Sequence, residues 1–207
     1  MKGTFITFEG SEGSGKSTQA ALALEYLKSK KLPAMLLREP GGVKISEAIR
    51  HLLLDVKNTG MSDECETLLY MAARSQMVKE ILRPALSEGK IIVCDRFLDS
   101  TIAYQGFGNG VNIDFIRQLG GFATQGIKPD LTLLFDIETD KGLSRTNAQK
   151  DRIERRSLDY HTRVRQGYLA LAELEPGRIK VIPVAGLSPA QVQAQAWKHV
   201  ERLCERL

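Results

Sequence analysis

GSEGSGKS, residues 10–17, decides the fold class, because it matches the pattern GxxxxGK[ST] of a phosphate-binding loop. This pattern requires a strand before it and a helix after it. Residues 4–8 form a short apolar run that predicts a strand, and residues 18–30 carry apolar side chains at helical spacing. A chance glycine turn is the alternative interpretation, and the two flanks argue against it.

Each part of this loop has a physical reason for binding a nucleotide. Glycines let successive backbone N–H groups point at phosphate oxygens, and the following helix adds its positive end. Lys16 is predicted to contact the β- and γ-phosphates, and the Ser17 hydroxyl to bind Mg²⁺. The residues predicted to bind ATP are Gly10, Ser11, Glu12, Gly13, Ser14, Gly15, Lys16, Ser17 and Thr18.

Further short apolar runs alternate with helical periodicity along the chain. The other predicted strands are 33–37, 91–94, 131–135 and 179–182. The predicted helices are 45–53, 62–86, one after Asp95, one from 113, then 139–146, 158–174 and 189–207, with a glycine turn at 106–110. This alternation predicts an α/β fold of the P-loop NTPase type, a five-stranded parallel sheet with helices on both faces. Ligands are expected at the carboxyl ends of the strands.

Size and composition favour one soluble domain over residues 1–207. The net charge is +4, and no long Lys and Arg run suggests a nucleic-acid partner. The longest apolar stretches are too short to span a bilayer, and the start of the sequence does not resemble a signal peptide. The three cysteines, Cys65, Cys94 and Cys204, are far apart and predict neither disulfides nor a zinc site. We therefore expect a cytoplasmic protein.

Two further motifs follow predicted strands. Asp95 can hold the water shell of Mg²⁺, and Arg96 beside it can bind a phosphate with its planar fork, although a surface ion pair is the alternative. The turn at residues 38–42, REPGG, would fix Arg38 beside the same site, although it could be a plain structural turn.

Six motifs in order give the chain a specific resemblance to bacterial thymidylate kinases over essentially its whole length. They are FEGSEGSGKST (8–18), REPGG (38–42), LLYMAARSQ (68–76), DRFLDSTIAYQG (95–106), PDLTLLFD (129–136) and DRIE (151–154). The resemblance implies transfer of the γ-phosphoryl group of ATP to dTMP, dependence on Mg²⁺, and a homodimer.

The resemblance also implies roles for the acceptor-side residues. Glu12 would accept the 3′-hydroxyl of dTMP, while Arg38 and Arg96 would bind its phosphate. Tyr70 would stack on thymine, although a lone aromatic at helical spacing is otherwise more typical of a core. Arg74, one turn later on the same helix face, would meet the edge of the base. The remaining pocket residues would be Ser100, Thr101 and Gln105 around the base, and Tyr104 beside the sugar C2′.

The polar segment 145–156 resembles the lid of this family and is predicted to be a mobile loop that closes over ATP. Gly13 stands where eukaryotic relatives have an arginine, so the lid is expected to supply that charge. The cations of this segment are Arg145, Lys150, Arg152, Arg155 and Arg156. Arg145 and Arg152 are the predicted catalytic groups, together with Lys16 and Arg96. For Arg155 and Arg156 a solvated helix face is the alternative.

Two other functions remain open from the sequence. One is a kinase for another nucleoside monophosphate or for a deoxynucleoside. The other is a nucleotide-binding switch without transfer activity, although the chain has no NKxD motif for reading guanine.

Overall fold

A computed structural model describes residues 3–146 and 149–204 of the chain, without the side chain of Cys204. Its centre is a five-stranded sheet in the order β2-β3-β1-β4-β5, with every neighbouring pair parallel. The strands are β1 (Thr4–Glu9), β2 (Ala34–Arg38), β3 (Ile91–Asp95), β4 (Leu131–Asp136) and β5 (Ile179–Pro183). All five predicted strands and the predicted α/β fold are confirmed.

Helices connect these strands and cover both faces of the sheet. They are α1 (Lys16–Ser29), α2 (Lys44–Leu54), α3 (Asp63–Met77), α4 (Arg83–Ser87), α5 (Leu98–Thr101), α6 (Ile113–Ala123), α7 (Thr139–Leu143), α8 (Leu158–Leu174) and α9 (Pro189–Cys204). Two π-helical segments, Val78–Leu82 and Ile102–Gly108, continue α3 and α5.

Alternating side chains of the central strands enter different cores because successive residues of a strand point to opposite faces. Ile6 and Phe8 pack with Ala23 of α1 on one face. Phe5 and Ile92 belong to the core on the other face. The strands are therefore covered on both sides, as their almost unbroken apolar sequences predict.

The long helix predicted over residues 62–86 is correct in extent but not uniform. Ser62 caps it, with Ser62 Oγ accepting from Cys65 N at 3.2 Å. The helix changes to the wider π register over Val78–Leu82, which ends two residues before Pro84, a residue with no N–H to donate. Helical periodicity in the sequence does not reveal this change of register.

The glycine turn predicted at residues 106–110 is largely wrong, because Gly106 and Gly108 lie inside the second π-helical segment. Their role is close packing: a Cβ at Gly108 would lie 2.6 Å from the ring of Tyr160 on α8. The turn itself falls at Asn109 and is followed by Gly110, where φ is +85°.

Candidate active site

The phosphate loop joins β1 to α1, as predicted. Gly10, Gly13 and Gly15 all have positive φ, at 147°, 68° and 81°, a conformation that other residues rarely adopt. A Cβ at Gly13 would lie 2.0 Å from the carbonyl oxygen of Gly142 on α7, so the loop is also packed tightly from outside. The strand–loop–helix context required for phosphate binding is therefore present.

One cleft at the carboxyl ends of β1, β2 and β3 has a volume of about 240 Å³. It brings together twelve of the predicted site residues. They are Glu12, Lys16, Ser17, Arg38, Tyr70, Arg74, Asp95, Arg96, Ser100, Thr101, Tyr104 and Gln105. The other predicted loop residues, Gly10, Ser11, Gly13, Ser14, Gly15 and Thr18, flank this cleft in sequence without lining it. Strand pairing explains the convergence, since Asp95 pairs with both Phe8 and Arg38.

Arg96 is the most extensively bonded cation of the cleft. It has a left-handed backbone, with φ of 70°, and its backbone N–H donates to Phe8 O at 3.0 Å. Its guanidinium donates to Glu12 Oε1 at 2.7 Å and to the Tyr104 hydroxyl at 3.0 Å. Other acceptors are Gly10 O, Ser100 Oγ and Tyr168 OH. The protein therefore fixes this cation in the cleft.

Two groups beside Arg96, the partly buried Glu12 and the buried Lys16, have shifted pKa values. Burial alone would raise the pKa of Glu12, but Arg96 and Lys16 outweigh burial and lower it to about 2. Burial, with repulsion from Arg96, lowers the pKa of Lys16. Lys16 Nζ lies 3.9 Å from Glu12 Oε2, so one carboxylate pairs with both Lys16 and Arg96.

Arg74 is 2% exposed and is held by two oxygen acceptors and by the sulfur of Met71. Its Nε donates to Glu39 Oε2 at 2.7 Å, and its Nη2 donates to Phe97 O at 3.0 Å. Burial raises the pKa of Glu39 to about 7, against the opposing effect of Arg74. Arg74 and the half-buried Tyr70 line the same cleft, as their i, i+4 spacing predicts.

Asp95 and Ser17 fit a bound magnesium ion. Asp95 Oδ1 is buried and has no hydrogen-bond partner within residues 3–146 and 149–204, and the side chains of both residues line the cleft. Among these described residues no cluster of three or more metal-binding side chains occurs. A donor set of one carboxylate and one hydroxyl, from Asp95 and Ser17, suits Mg²⁺, which retains most of its water and uses few protein ligands.

Other residues lie in the cleft or directly behind it and have no role predicted from the sequence. Glu9 accepts from Phe97 N at 2.7 Å and Ser100 Oγ at 2.6 Å, and burial and Asp99 raise its pKa to about 7. Arg50 lines the cleft and donates to Pro40 O at 3.1 Å. Glu9 is the last residue of β1, and ligands are expected at this end of a parallel strand, so its position in the sequence could have indicated a place near the site.

The predicted catalytic lid arginines occupy different environments. Arg145 is exposed after the end of α7. Arg152 is 8% exposed and does not line the cleft, because its Nε donates to Leu53 O at 2.7 Å and its Nη2 lies 2.6 Å from Glu66 Oε2. Their catalytic roles stay predictions. Residues 147 and 148 lie outside the described part of the lid.

The rest of the lid packs more closely than the sequence suggests. Arg156 donates to Glu66 and Asn109 and lies over the Tyr160 ring, with its Cζ 4.7 Å from the ring centroid, so the solvated alternative is wrong for this residue. Arg155 is exposed, with Nε donating to Lys150 O at 3.0 Å. Asp151 and Glu154 reach the cleft wall.

A phosphate loop and a separate group of arginines line one cleft. This combination defines a P-loop nucleotide-binding protein of the phosphotransferase class. The Thymidylate kinase family model matches residues 8–196. A thymidylate kinase from Symbiobacterium thermophilum is 46% identical over 203 residues, covering 98% of this chain and 94% of that protein. The chain belongs to the thymidylate kinase family.

Other comparisons agree in both sequence and structure. A thymidylate kinase from Desulforudis audaxviator is 48% identical over 184 residues, covering 88% of this chain and 83% of that protein. The crystal structure of thymidylate kinase from Ehrlichia chaffeensis has a TM-score of 0.81 at 33% identity, covering 97% of this chain and 100% of that one. The helices of the described residues include none that is both long and apolar enough to cross a membrane.

Proposed function

We propose that this protein transfers the γ-phosphoryl group of ATP to dTMP, giving ADP and dTDP. The observation that carries this proposal is the placement of two cationic surfaces on one cleft. Lys16 and the phosphate loop form the donor side, while Arg38, Arg74 and Arg96 lie on the acceptor side. Two anionic substrates can therefore be held together with their mutual repulsion offset.

On the donor side, backbone N–H groups of the loop and the start of α1 bind the triphosphate. Lys16 contacts the β- and γ-phosphates as a point charge. Ser17 and Asp95 would hold Mg²⁺, Asp95 through water, and the ion would neutralise charge on the triphosphate when bound. Arg145, which is exposed after the end of α7, would add a lid charge, and Arg152 could do so only by leaving Glu66.

On the acceptor side, Arg96 and Arg38 bind the dTMP phosphate, and Glu12 accepts the 3′-hydroxyl. Tyr70 stacks on the base, while Arg74 and Gln105 meet its edge and Tyr104 crowds C2′. An oxygen of the dTMP phosphate attacks the γ-phosphorus, and the bond to the β-phosphate oxygen breaks. No general base is needed, because a phosphate monoester is largely ionised near neutral pH.

A panel of acceptors tests the function directly. ADP release from ATP is measured with dTMP, dUMP, AMP, CMP, GMP and thymidine, with no acceptor as the control. We expect dTMP to give the highest kcat/KM. Preferred turnover of another monophosphate or of thymidine would identify a different kinase, and ATP binding without acceptor-dependent ADP would identify a nucleotide-binding switch.

We also propose that two copies associate through α2, α3 and α6, which pack side by side. These helices carry exposed apolar side chains, namely Ile45, Leu52, Leu68, Phe115 and Phe122. Phe122 is 80% exposed, an exposure that a partner surface would explain. Analytical ultracentrifugation of the wild type and of Phe122→Asp tests this: a dimer that the substitution dissociates supports it, and a wild-type monomer contradicts it.

We also propose that residues 1–207 form a single domain and that the protein is cytoplasmic. Support for the compartment comes from the cysteines, since Cys65 and Cys94 are both free thiols, as expected in a reducing environment. Limited proteolysis of the full chain tests the single-domain assignment, which predicts no stable fragment of half the length.

A further inference from the structure

Glu66 is a fully buried carboxylate on α3, one helical turn before Tyr70. Its Oε1 accepts from Gln105 Nε2 at 2.9 Å and from Asn109 Nδ2 at 3.0 Å. Its Oε2 lies 2.6 Å from Arg152 Nη2 and 2.8 Å from Arg156 Nη2. One side chain thus contacts the cleft residue Gln105 through one oxygen and two lid arginines through the other.

These contacts determine which end of the Gln105 amide meets Glu66. With two guanidinium groups on Oε2, the Glu66 side chain is a carboxylate, which accepts hydrogen bonds and donates none. Only the NH₂ end of Gln105 can therefore face it. If the amide were reversed, two acceptor oxygens would meet in a buried site, a costly arrangement.

The carbonyl Oε1 of Gln105 is consequently the end left for a ligand. Gln105 lines the cleft, and no donor in the described part of the chain hydrogen-bonds this oxygen. A base edge that meets this oxygen must present a hydrogen-bond donor. The discrimination applies to a contact at ring position 3, where thymine and uracil present N–H and cytosine presents an acceptor that Oε1 would repel. The donor of cytosine is its 4-amino group, on the neighbouring ring atom.

We propose that Glu66 is a positioning residue for base recognition, which fixes Gln105 so that the site selects pyrimidines with an imide N–H. This inference rests on the proposed kinase function. It adds a residue that determines specificity without itself contacting the base. Arg152 and Arg156 contribute indirectly, because they pair with Oε2 and leave Oε1 to accept from Gln105 and Asn109.

Glu66→Gln provides the test, because it keeps the shape of the side chain while adding an NH₂ donor. Gln105 can then reverse and present its own NH₂ group to the base. The measurement is kcat/KM for dUMP and dCMP, with dCMP also assayed as a competitive inhibitor of dTMP turnover. These two acceptors differ only at positions 3 and 4 of the ring. The matched control is Glu64→Gln, an exposed glutamate on the same helix.

We expect Glu66→Gln to lower the preference for dUMP over dCMP by about tenfold, the effect of roughly one hydrogen bond. Glu64→Gln should leave this ratio unchanged. Equal losses with dUMP and dCMP in Glu66→Gln would mean a merely structural role and would overturn the proposal. A wild type without dTMP-dependent ADP release would instead contradict the proposed function.

If Glu66→Gln does not fold, the charge-conserving exchange Glu66→Gln with Gln105→Glu replaces it. The amide introduced at position 66 then donates to the carboxylate introduced at position 105, which again offers only acceptors to the cleft. We expect this double variant to retain the preference for dUMP. A folded exchange variant with the preference lost would overturn the proposal.

Discussion

Arg96 Nη2 donates to Glu12 Oε1 at 2.7 Å, so two groups proposed to bind different parts of dTMP are also bonded to each other. The Tyr104 hydroxyl donates to the same carboxylate oxygen at 2.7 Å. Binding of dTMP would therefore replace protein partners, since its phosphate competes for Arg96 and its 3′-hydroxyl for Glu12. The same ion pair makes Glu12 a source of pH-dependent stability.

Glu12→Gln should lower the free energy of unfolding above pH 4.5 and have progressively less effect in acid. The folded-state pKa of Glu12 is about 2, below the ordinary 4.5, because Arg96 and Lys16 outweigh burial. A lowered carboxyl pKa stabilises the fold above the unfolded-state pKa, and this contribution is lost as pH falls from 4.5 towards 2. The interval corresponds to roughly 3 kcal/mol.

Urea unfolding of the wild type and of Glu12→Gln between pH 7 and pH 3.5 measures this difference. Glu25→Gln, an exposed residue on α1, is the control. A difference between wild type and Glu12→Gln that stays constant over this pH range would contradict the prediction.

Gly142→Ala should distort the phosphate loop from outside the cleft. A Cβ there would lie 2.4 Å from the carbonyl oxygen of Glu12, a backbone atom that cannot move without moving the loop. We expect a loss of about 1–3 kcal/mol in stability, typical of overpacking, together with a raised KM for ATP. Gly177→Ala is the control, because a Cβ at Gly177 meets nothing within 4 Å. Unchanged KM and stability in Gly142→Ala would show that the loop tolerates the displacement.

The sequence predicts the strands and the phosphate loop well, because each depends on local patterns, whereas most acceptor-side residues of the cleft are implied only by the resemblance to bacterial thymidylate kinases. Apolar runs mark β1 and β3, and their carboxyl ends necessarily lie at one edge of a parallel sheet. The partners of the site residues are not predictable in this way. Glu66 and Arg156 are 90 positions apart, and Arg96 and Glu12 are 84 apart.

The contacts of the lid, residues 145–156, are also not predictable from the sequence. A run of polar residues reads as a solvated loop, yet Ile153 is 4% exposed and Arg152 is 8% exposed. Ile153 packs into a hydrophobic core, and Arg152 pairs with the buried carboxylate of Glu66 on α3. The sequence does not distinguish Glu66 from a surface glutamate. Patterns of charge along the chain do not show which charges meet inside the fold.

Arg145→Ala and Arg152→Ala should have different consequences. Arg145 is exposed, so its removal should leave the melting temperature unchanged while lowering kcat by at least about tenfold if it stabilises the transferring phosphoryl group. Arg152→Ala leaves buried Glu66 with one guanidinium partner, so we expect a loss of about 2 kcal/mol or more in stability. Arg155→Ala is the exposed control from the same segment.

Thermal unfolding and steady-state turnover of these three variants separate the roles. Full stability with turnover abolished in Arg152→Ala would assign catalysis to Arg152 and contradict its role as an anchor. Full turnover in Arg145→Ala would remove Arg145 from the catalytic set.

Lys16→Ala should abolish most activity without unfolding the protein. Lys16 is the first residue of α1 and is 8% exposed at the cleft, where it is the point charge proposed to meet the β- and γ-phosphates. Burial and Arg96 lower its pKa, which means that its charged form is not favoured by the folded environment. Removing the side chain should therefore cost little stability, whereas kcat should fall by at least about a hundredfold, as for other preorganised charges in active sites. Turnover and thermal unfolding are compared with those of Lys28→Ala, an exposed lysine in the last turn of the same helix. Lys28→Ala should match the wild type in both measurements, and a Lys16→Ala variant with undiminished turnover would remove Lys16 from the proposed mechanism.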